Sequence, residues 1–121
     1  MKATRSDLRR ELLAAAEAAL ATARAAHAAA VEGATHSEAK AENDKDTRGL
    51  EQSYLARGHA ARVEELEAAL VTVAGLTVAR PGPRVALGAV VTVDDDGASA
   101  RYYLAPWGGG EILPGDVKRV L

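Results

Sequence analysis

The amino-acid sequence predicts an α+β fold: a long N-terminal antiparallel helical hairpin, in the manner of a coiled coil, followed by a small antiparallel β module. Two long stretches without proline carry apolar residues at helical spacing, which predicts the two helices. The sequence becomes rich in valine after residue 84, which predicts β-strands. We therefore expect the hairpin over residues 1–78, with an acidic tip at about 34–48, a linker at 79–84 and the β module at 85–121.

Composition excludes several classes of protein. The 121 residues include no cysteine, so disulfides and thiolate metal sites are absent. A net charge of −2 and 3% aromatic residues argue against a general nucleic-acid binder. No apolar run of membrane-spanning length and no signal peptide are present, so we expect a cytoplasmic protein without membrane contact.

The first helix has a recognisable start and a weakly defined apolar seam. Thr4 and Asp7 have capping-box spacing, and the alanine-rich sequence that follows has high helix propensity. Gly33 is the expected end of this helix, and Thr35 is a candidate cap for a further turn across the tip. The predicted seam residues, small enough to admit a close partner helix, are Leu12, Ala16, Ala19, Ala23, Ala26 and Ala30.

The second helix is predicted to begin between Asn43 and Thr47, either of which can serve as its N-cap, and to end at Gly75. Its predicted seam steps by four and three residues through His59, Val63, Leu66, Leu70 and Val73. Leu50 and Leu55 are expected to extend this seam toward the start of the helix. The two seams together predict an antiparallel pair.

The β module begins after the linker. Strands are predicted at 85–93 and 98–105, joined by turn residues at 94–97, with further short strands at 111–113 and 117–121. So small a sheet is marginal alone, so it should pack on the base of the hairpin, on a partner or on further sequence. The large aromatic residues here are Tyr102, Tyr103 and Trp107. At least one of them should lie in the core of the module.

The strongest chemical candidate is a cluster of three carboxylates within five residues: Glu42, Asp44 and Asp46. Hard cations such as Mg²⁺ take oxygen ligands and usually keep several waters. A protruding tip of this size cannot hold Mg²⁺ tightly alone, but it can complete the coordination shell of an ion held by another macromolecule. The alternative is that these acids are solvated residues favoured by the positive end of the following helix.

Other combinations are weaker. His27, His36 and His59 are far apart in sequence and lack zinc-site spacing, so helix-flank positions are the better interpretation. The run Asp94–Asp96 before Gly97 is typical of a turn rather than of a metal site.

The segment Glu42-Asn-Asp-Lys-Asp-Thr-Arg-Gly-Leu-Glu-Gln-Ser-Tyr-Leu-Ala56 looks like a signature of Gre-like proteins. Through this segment, residues 8–105 resemble the Gre transcript-cleavage factors of bacterial RNA polymerase. Two features differ from the family pattern. An alanine, Ala41, precedes the Glu-Asn dipeptide, where Gre factors carry an acid. The sequence after residue 84 is shorter than the FKBP-like C-terminal domain of the family, so it resembles only part of that domain.

The resemblance implies a function as well as a fold. A Gre-type elongation factor inserts its acidic tip into the secondary channel of RNA polymerase, modulates the Mg²⁺ at the active site and rescues backtracked complexes. Asp44 and Asp46 would be the nearest ligands of that shared Mg²⁺, with Glu42 assisting. The protein would bind no cofactor alone and would not be an enzyme, because it stimulates the nuclease activity of the polymerase.

A Gre-like protein of this kind would act as a monomer and meet DNA or RNA only within the transcription complex. Two alternatives stay open: a Gre-like inhibitor that occupies the channel, and a coiled-coil interaction or assembly protein whose acids serve only solubility.

Overall fold

The computed structural model describes residues 4–39, 48–77, 82–110, 113 and 117–120. Two helices are followed by three strands: α1 (Arg5–Ala39), α2 (Arg48–Ala74), β1 (Val90–Asp95), β2 (Ala98–Leu104) and β3 (Val117–Val120). The predicted α+β layout is confirmed. Contacts group the chain into two compact units: one within residues 18–68, and the other within residues 1–17 and 69–121. The predicted linker is described only at 82–84, where the chain is exposed and non-helical.

The start of α1 is the capping box that the sequence predicts. The backbone N–H of Asp7 donates to Thr4 Oγ1, and the N–H of Thr4 donates to Asp7 Oδ2, each at 3.1 Å. These reciprocal bonds satisfy backbone donors that the first turn of a helix leaves without partners. The hydrogen bonds from Thr4 lower the pKa of Asp7, and Arg10, 3.7 Å away, acts in the same direction.

The predicted end of α1 at Gly33 is wrong, because the helix continues to Ala39. An ideal Cβ built at Gly33 would lie 3.2 Å from Oε1 of Gln52, so this glycine leaves room for a side chain of α2. Thr35 lies inside the helix rather than capping a new turn. Its hydroxyl donates to the carbonyl of Val31, four residues earlier, at 3.0 Å. Gly33 therefore serves close packing instead of helix termination.

Within residues 18–68 the two helices form an antiparallel pair. Arg24 of α1 meets Glu67 of α2, with 3.4 Å between guanidinium nitrogen and carboxylate oxygen, whereas Gly33 meets Gln52. The later residue of α1 contacts the earlier residue of α2, so the two helices run in opposite directions. The buried apolar residues of this unit are Leu20, Ala23, Ala34 and Leu66. Ala23 and Leu66 belong to the predicted seams, but Leu50 and Leu55 are more than half exposed, so their assignment to the seam is wrong.

The sheet has the order β1-β2-β3. β1 and β2 are antiparallel, in register from Val90 opposite Tyr103 to Asp95 opposite Ala98. The connecting residues Asp96 and Gly97 both have positive φ, 47° and 80°. This is the backbone of a two-residue type I′ turn, which Asp-Gly sequences favour because its twist matches the strands. The predicted hairpin is therefore present, with β1 beginning five residues later than predicted at Val90.

The third strand differs from the predicted antiparallel arrangement. β3 pairs with β2 in parallel, from Arg101 opposite Val117 to Leu104 opposite Val120. A parallel neighbour requires a connection of about a dozen residues, which the chain supplies between Leu104 and Val117. The predicted strand at 111–113 lies outside the described residues except for Leu113, which is buried and not in a strand.

The sheet packs against the base of the hairpin, one of the three possibilities that the sequence allowed. The apolar core of this unit joins both helices to the β module; its buried members are Leu8, Leu12, Val73, Tyr103, Ala105, Leu113 and Val117. Tyr103 is almost fully buried, which confirms the prediction of an aromatic residue in this core. Trp107 is partly buried against the same cluster.

An arginine of α1 caps the end of α2 within this unit. Arg9 Nε donates to the carbonyl of Leu76 at 2.7 Å, and its Nη2 donates to the carbonyl of Ala74. The last carbonyls of a helix have no partner within the helix, and a cation there is favoured by the macrodipole. Gly75 follows the last helical residue as predicted, and its N–H donates to Val71 at 3.0 Å.

Candidate functional site

The acidic tip is the candidate metal-binding site. Glu42, Asp44 and Asp46 lie outside the described residues, so their role as Mg²⁺ ligands stays a prediction. The described part of the chain stops at Ala39, the last residue of α1, and resumes at Arg48, the first residue of α2. The three acids therefore belong to the connection between two antiparallel helices. Within the described part of the chain, no group of three or more His, Asp or Glu residues could hold a metal ion.

The helices that flank this connection approach each other closely. Gly33, six residues before the end of α1, faces Gln52, four residues after the start of α2. The ion pair between Arg24 and Glu67 joins the same two helices farther from the connection. Both of its side chains are more than half exposed, so the pair adds at most about 1 kcal/mol to stability. We therefore expect the buried apolar residues of the pair and the close contact at Gly33 to contribute more to its stability than this ion pair does.

A second candidate site is an exposed surface along one side of α2, close in helical direction to its buried residues. We call it the α2 stripe, and its members are Glu51, Tyr54, Leu55, Gly58, His59 and Arg62. The first five line a shallow, open depression. Tyr54 and Leu55 are 58% and 55% exposed, which is unusual for large apolar side chains on a helix that also has a buried face. The guanidinium of Arg57 lies 5.2 Å from the centre of the Tyr54 ring, a cation–π contact.

The α2 stripe is a site that sequence reasoning missed. The sequence predicts Leu55 on the apolar seam with Leu66, because residues eleven positions apart point within about 20° of each other on an ideal helix. Such a small angular difference cannot be resolved from one sequence, because the direction of the partner helix is unknown. The signal that was available is the spacing of Glu51, Leu55, Gly58 and Arg62, which advances by four, three and four residues.

The remaining candidate groups have structural roles or none that is visible. His27 and His59 are half-buried on α1 and α2, and neither belongs to a described metal cluster. The predicted turn at 94–97 is shorter in the structure: Asp94 and Asp95 are the last residues of β1, and only Asp96 and Gly97 form the turn. The hydroxyl of Ser99 donates to the carboxylate of Asp94 across this hairpin.

Burial changes the acid–base behaviour of one core residue. The pKa of Tyr103 is raised by burial of its phenol, and the nearby positive charge of Arg9 partly offsets this. Tyr103 is on β2 and Arg9 on α1, so the two residues link the sheet to the capped end of α2. The raised pKa is a property of the core and points to no chemistry.

Neither described helix contains a stretch that is apolar enough to span a bilayer. Comparison with known proteins found no family model that matches the chain, no similar curated protein and no similar solved structure.

Proposed function

We propose that this protein is a Gre-like elongation factor that binds bacterial RNA polymerase and presents an acidic connection between two helices to the active-site Mg²⁺. The observation that carries the proposal is the antiparallel pair formed by α1 and α2, whose ends at Ala39 and Arg48 flank the acidic segment. The Gre-like signature over residues 42–56 supplies the rest of the argument.

The proposed mechanism assigns the chemistry to the polymerase and the charge to this chain. Asp44 and Asp46, assisted by Glu42, would supply carboxylate oxygens to a Mg²⁺ ion whose other ligands belong to the polymerase. A second ion in a phosphoryl-transfer site stabilises the attacking and leaving oxygens of an in-line displacement. Such an ion would favour hydrolysis of backtracked RNA. The protein is thus proposed to be a stimulator of the polymerase nuclease and not an enzyme alone.

Two measurements test this proposal. The first is retention of the full chain on core RNA polymerase at modest salt. The second is Mg²⁺-dependent RNA cleavage in a stalled, backtracked complex. The double variant Asp44→Asn/Asp46→Asn removes two charges while keeping side-chain size and hydrogen bonding. We expect it to bind the polymerase as before and to stimulate cleavage about a hundredfold less, the scale of losing a strong electrostatic contact to a developing charge.

A matched control comes from the hairpin turn of the sheet. Asp95 and Asp96 are exposed acids in the other compact unit, so Asp95→Asn/Asp96→Asn makes the same chemical change elsewhere. The control should leave cleavage unchanged. If the tip variant retains full cleavage activity, the assignment of Asp44 and Asp46 is wrong. If the wild-type protein binds the polymerase and slows elongation without cleavage, the inhibitor alternative replaces the proposed one.

The second candidate function is an interaction or assembly protein built on its helices. The exposed Tyr54 and Leu55 favour this candidate, because an apolar patch on a helix often marks a protein contact. The two candidates differ in their need for RNA polymerase. Absence of any retention on the polymerase, with wild-type and tip-variant proteins behaving alike in every assay, would support the assembly function.

A further inference from the structure

We propose that the α2 stripe is a self-association surface, on which the α2 helix of a second copy of this chain docks in the antiparallel direction. This inference goes beyond the proposed role at RNA polymerase and departs from the monomer that the Gre resemblance implies. It concerns described residues of α2 and not the acidic tip, so a test of the oligomeric state can succeed or fail separately from a test of polymerase binding.

The stripe has the exposure that a docking surface requires. Glu51, Leu55, Gly58 and Arg62 follow one another at intervals of four, three and four residues, which places them along one line of the helix. All four are exposed, and Tyr54 adds an exposed aromatic ring beside them. The half-buried residues Gln52 and Val63 lie to one side of this line. The stripe is therefore available in addition to the contact between α1 and α2.

The charges of the stripe are complementary to themselves under a twofold axis. When two α2 helices lie antiparallel with the axis between Ala56 and Arg57, Glu51 comes opposite Arg62 of the second copy. The symmetry creates the same pair again at the other end, so one contact of opposite charge becomes two. A twofold interface is formed by the same patch on both copies, and a patch that is self-complementary in charge meets that condition.

Gly58, the smallest residue of the stripe, lies where apolar side chains of the second copy would pack. In the same arrangement Leu55 lies opposite Gly58 of the second copy, and Tyr54 lies opposite His59 beside it. An ideal Cβ at Gly58 would have nothing within 4 Å, so the space above it is open. Small residues at a helix crossing let the two backbones approach closely. Gly58 lowers helix stability by about 1 kcal/mol relative to alanine, and the docked side chains give this glycine a structural use.

The occupant is a second copy because of this internal match of charge and shape. Arg62 also lies 3.2 Å from Glu65 of its own helix, an exposed ion pair that contributes at most about 1 kcal/mol and leaves the guanidinium accessible to a second acid. A uniformly acidic partner would be repelled by Glu51, and a uniformly basic partner by Arg62. The stripe covers about three turns of one helix. The area that it can bury is therefore smaller than the roughly 800 Å² per partner of a standard interface. We therefore expect a reversible dimer with a dissociation constant on the order of 0.1 mM, formed in rapid exchange.

Sedimentation equilibrium of the full chain from about 10 μM to 1 mM tests the proposal, together with charge exchanges at the two paired positions. Glu51→Arg places two arginines opposite each other at both ends of the interface, and Arg62→Glu does the same with two acids. Each single variant should dimerise at least about tenfold more weakly than wild type. An equimolar mixture of the two variants should form heterodimers about as tightly as the wild type forms homodimers, because both opposite-charge pairs are restored.

Glu64→Arg is the matched control, because Glu64 is an exposed acid of α2 that lies away from the stripe. It changes the net charge as Glu51→Arg does and should leave the dimer unaffected. Circular dichroism establishes that each variant keeps the helix content of the wild type. A chain that stays monomeric at 1 mM overturns the proposal. A dimer insensitive to both single exchanges, or single variants whose mixture does not dimerise, overturns it as well.

Discussion

Replacing Arg9 tests whether a long-range cap holds the end of α2. Its guanidinium donates to the carbonyls of Ala74 and Leu76, residues more than sixty positions away in the chain. Arg9→Met keeps the aliphatic part of the side chain and removes both donors and the charge. The two carbonyls then lose a partner that no residue of the helix can replace.

The expected cost follows from these two bonds. A hydrogen bond from a charged group contributes about 1.5 kcal/mol or more when partly buried, and less when exposed. The bond to Leu76 is partly buried and the bond to Ala74 is exposed. Loss of the positive charge at the C-terminus of α2 adds about 0.3–1 kcal/mol. We expect Arg9→Met to lower the free energy of unfolding by about 2–3 kcal/mol, from these magnitudes together.

The adjacent Arg10 supplies the control. Its side chain is 77% exposed and its guanidinium lies 3.7 Å from the carboxylate of Asp7, so Arg10→Met removes only a surface ion pair. That variant should lose less than about 0.5 kcal/mol. Urea unfolding followed by circular dichroism measures both changes. If Arg9→Met and Arg10→Met differ by less than about 0.5 kcal/mol in their free energy of unfolding, the two hydrogen bonds do not stabilise the fold by the expected amount.

Two further predictions concern the two apolar cores. Burial raises the pKa of Tyr103 above its ordinary value of 10.0, so the folded state favours the neutral phenol. The contribution of this residue to the free energy of unfolding is therefore present below pH 10.0 and is lost as the pH rises through the raised pKa. Tyr103→Phe should remove this loss of stability at alkaline pH, which a comparison of urea unfolding midpoints at pH 8 and pH 11 would detect. An equal fall of the midpoint in the wild-type and variant proteins would contradict the prediction. Leu66→Ala should cost about 2–4 kcal/mol because it leaves a cavity between packed helices, whereas Leu50→Ala, at an exposed position, should cost less than about 0.5 kcal/mol. Similar urea midpoints for the two leucine variants would refute the assignment of the core face.

Predictions from the sequence were correct where the determining interactions are local. The capping box of Thr4 and Asp7 and the turn at Asp96 and Gly97 depend on atoms within a few residues. Such contacts need only residues that are close together in the sequence. The helical character of α1 likewise follows from the intrinsic propensity of alanine. The acidic cluster of the candidate site is also a feature of the sequence.

Tertiary structure decided what depends on partners distant in the chain. A glycine at position 33 is compatible with a helix end or with a close contact between helices. The side chain of Gln52, which lies next to it, shows that it serves a close contact. Leu55 and Leu66 have nearly the same helical phase, but only the position of α1 buries Leu66 and leaves Leu55 exposed. The parallel pairing of β3 depends on how its connection returns to β2. Propensity and periodicity describe one segment at a time, whereas these outcomes depend on which segments meet.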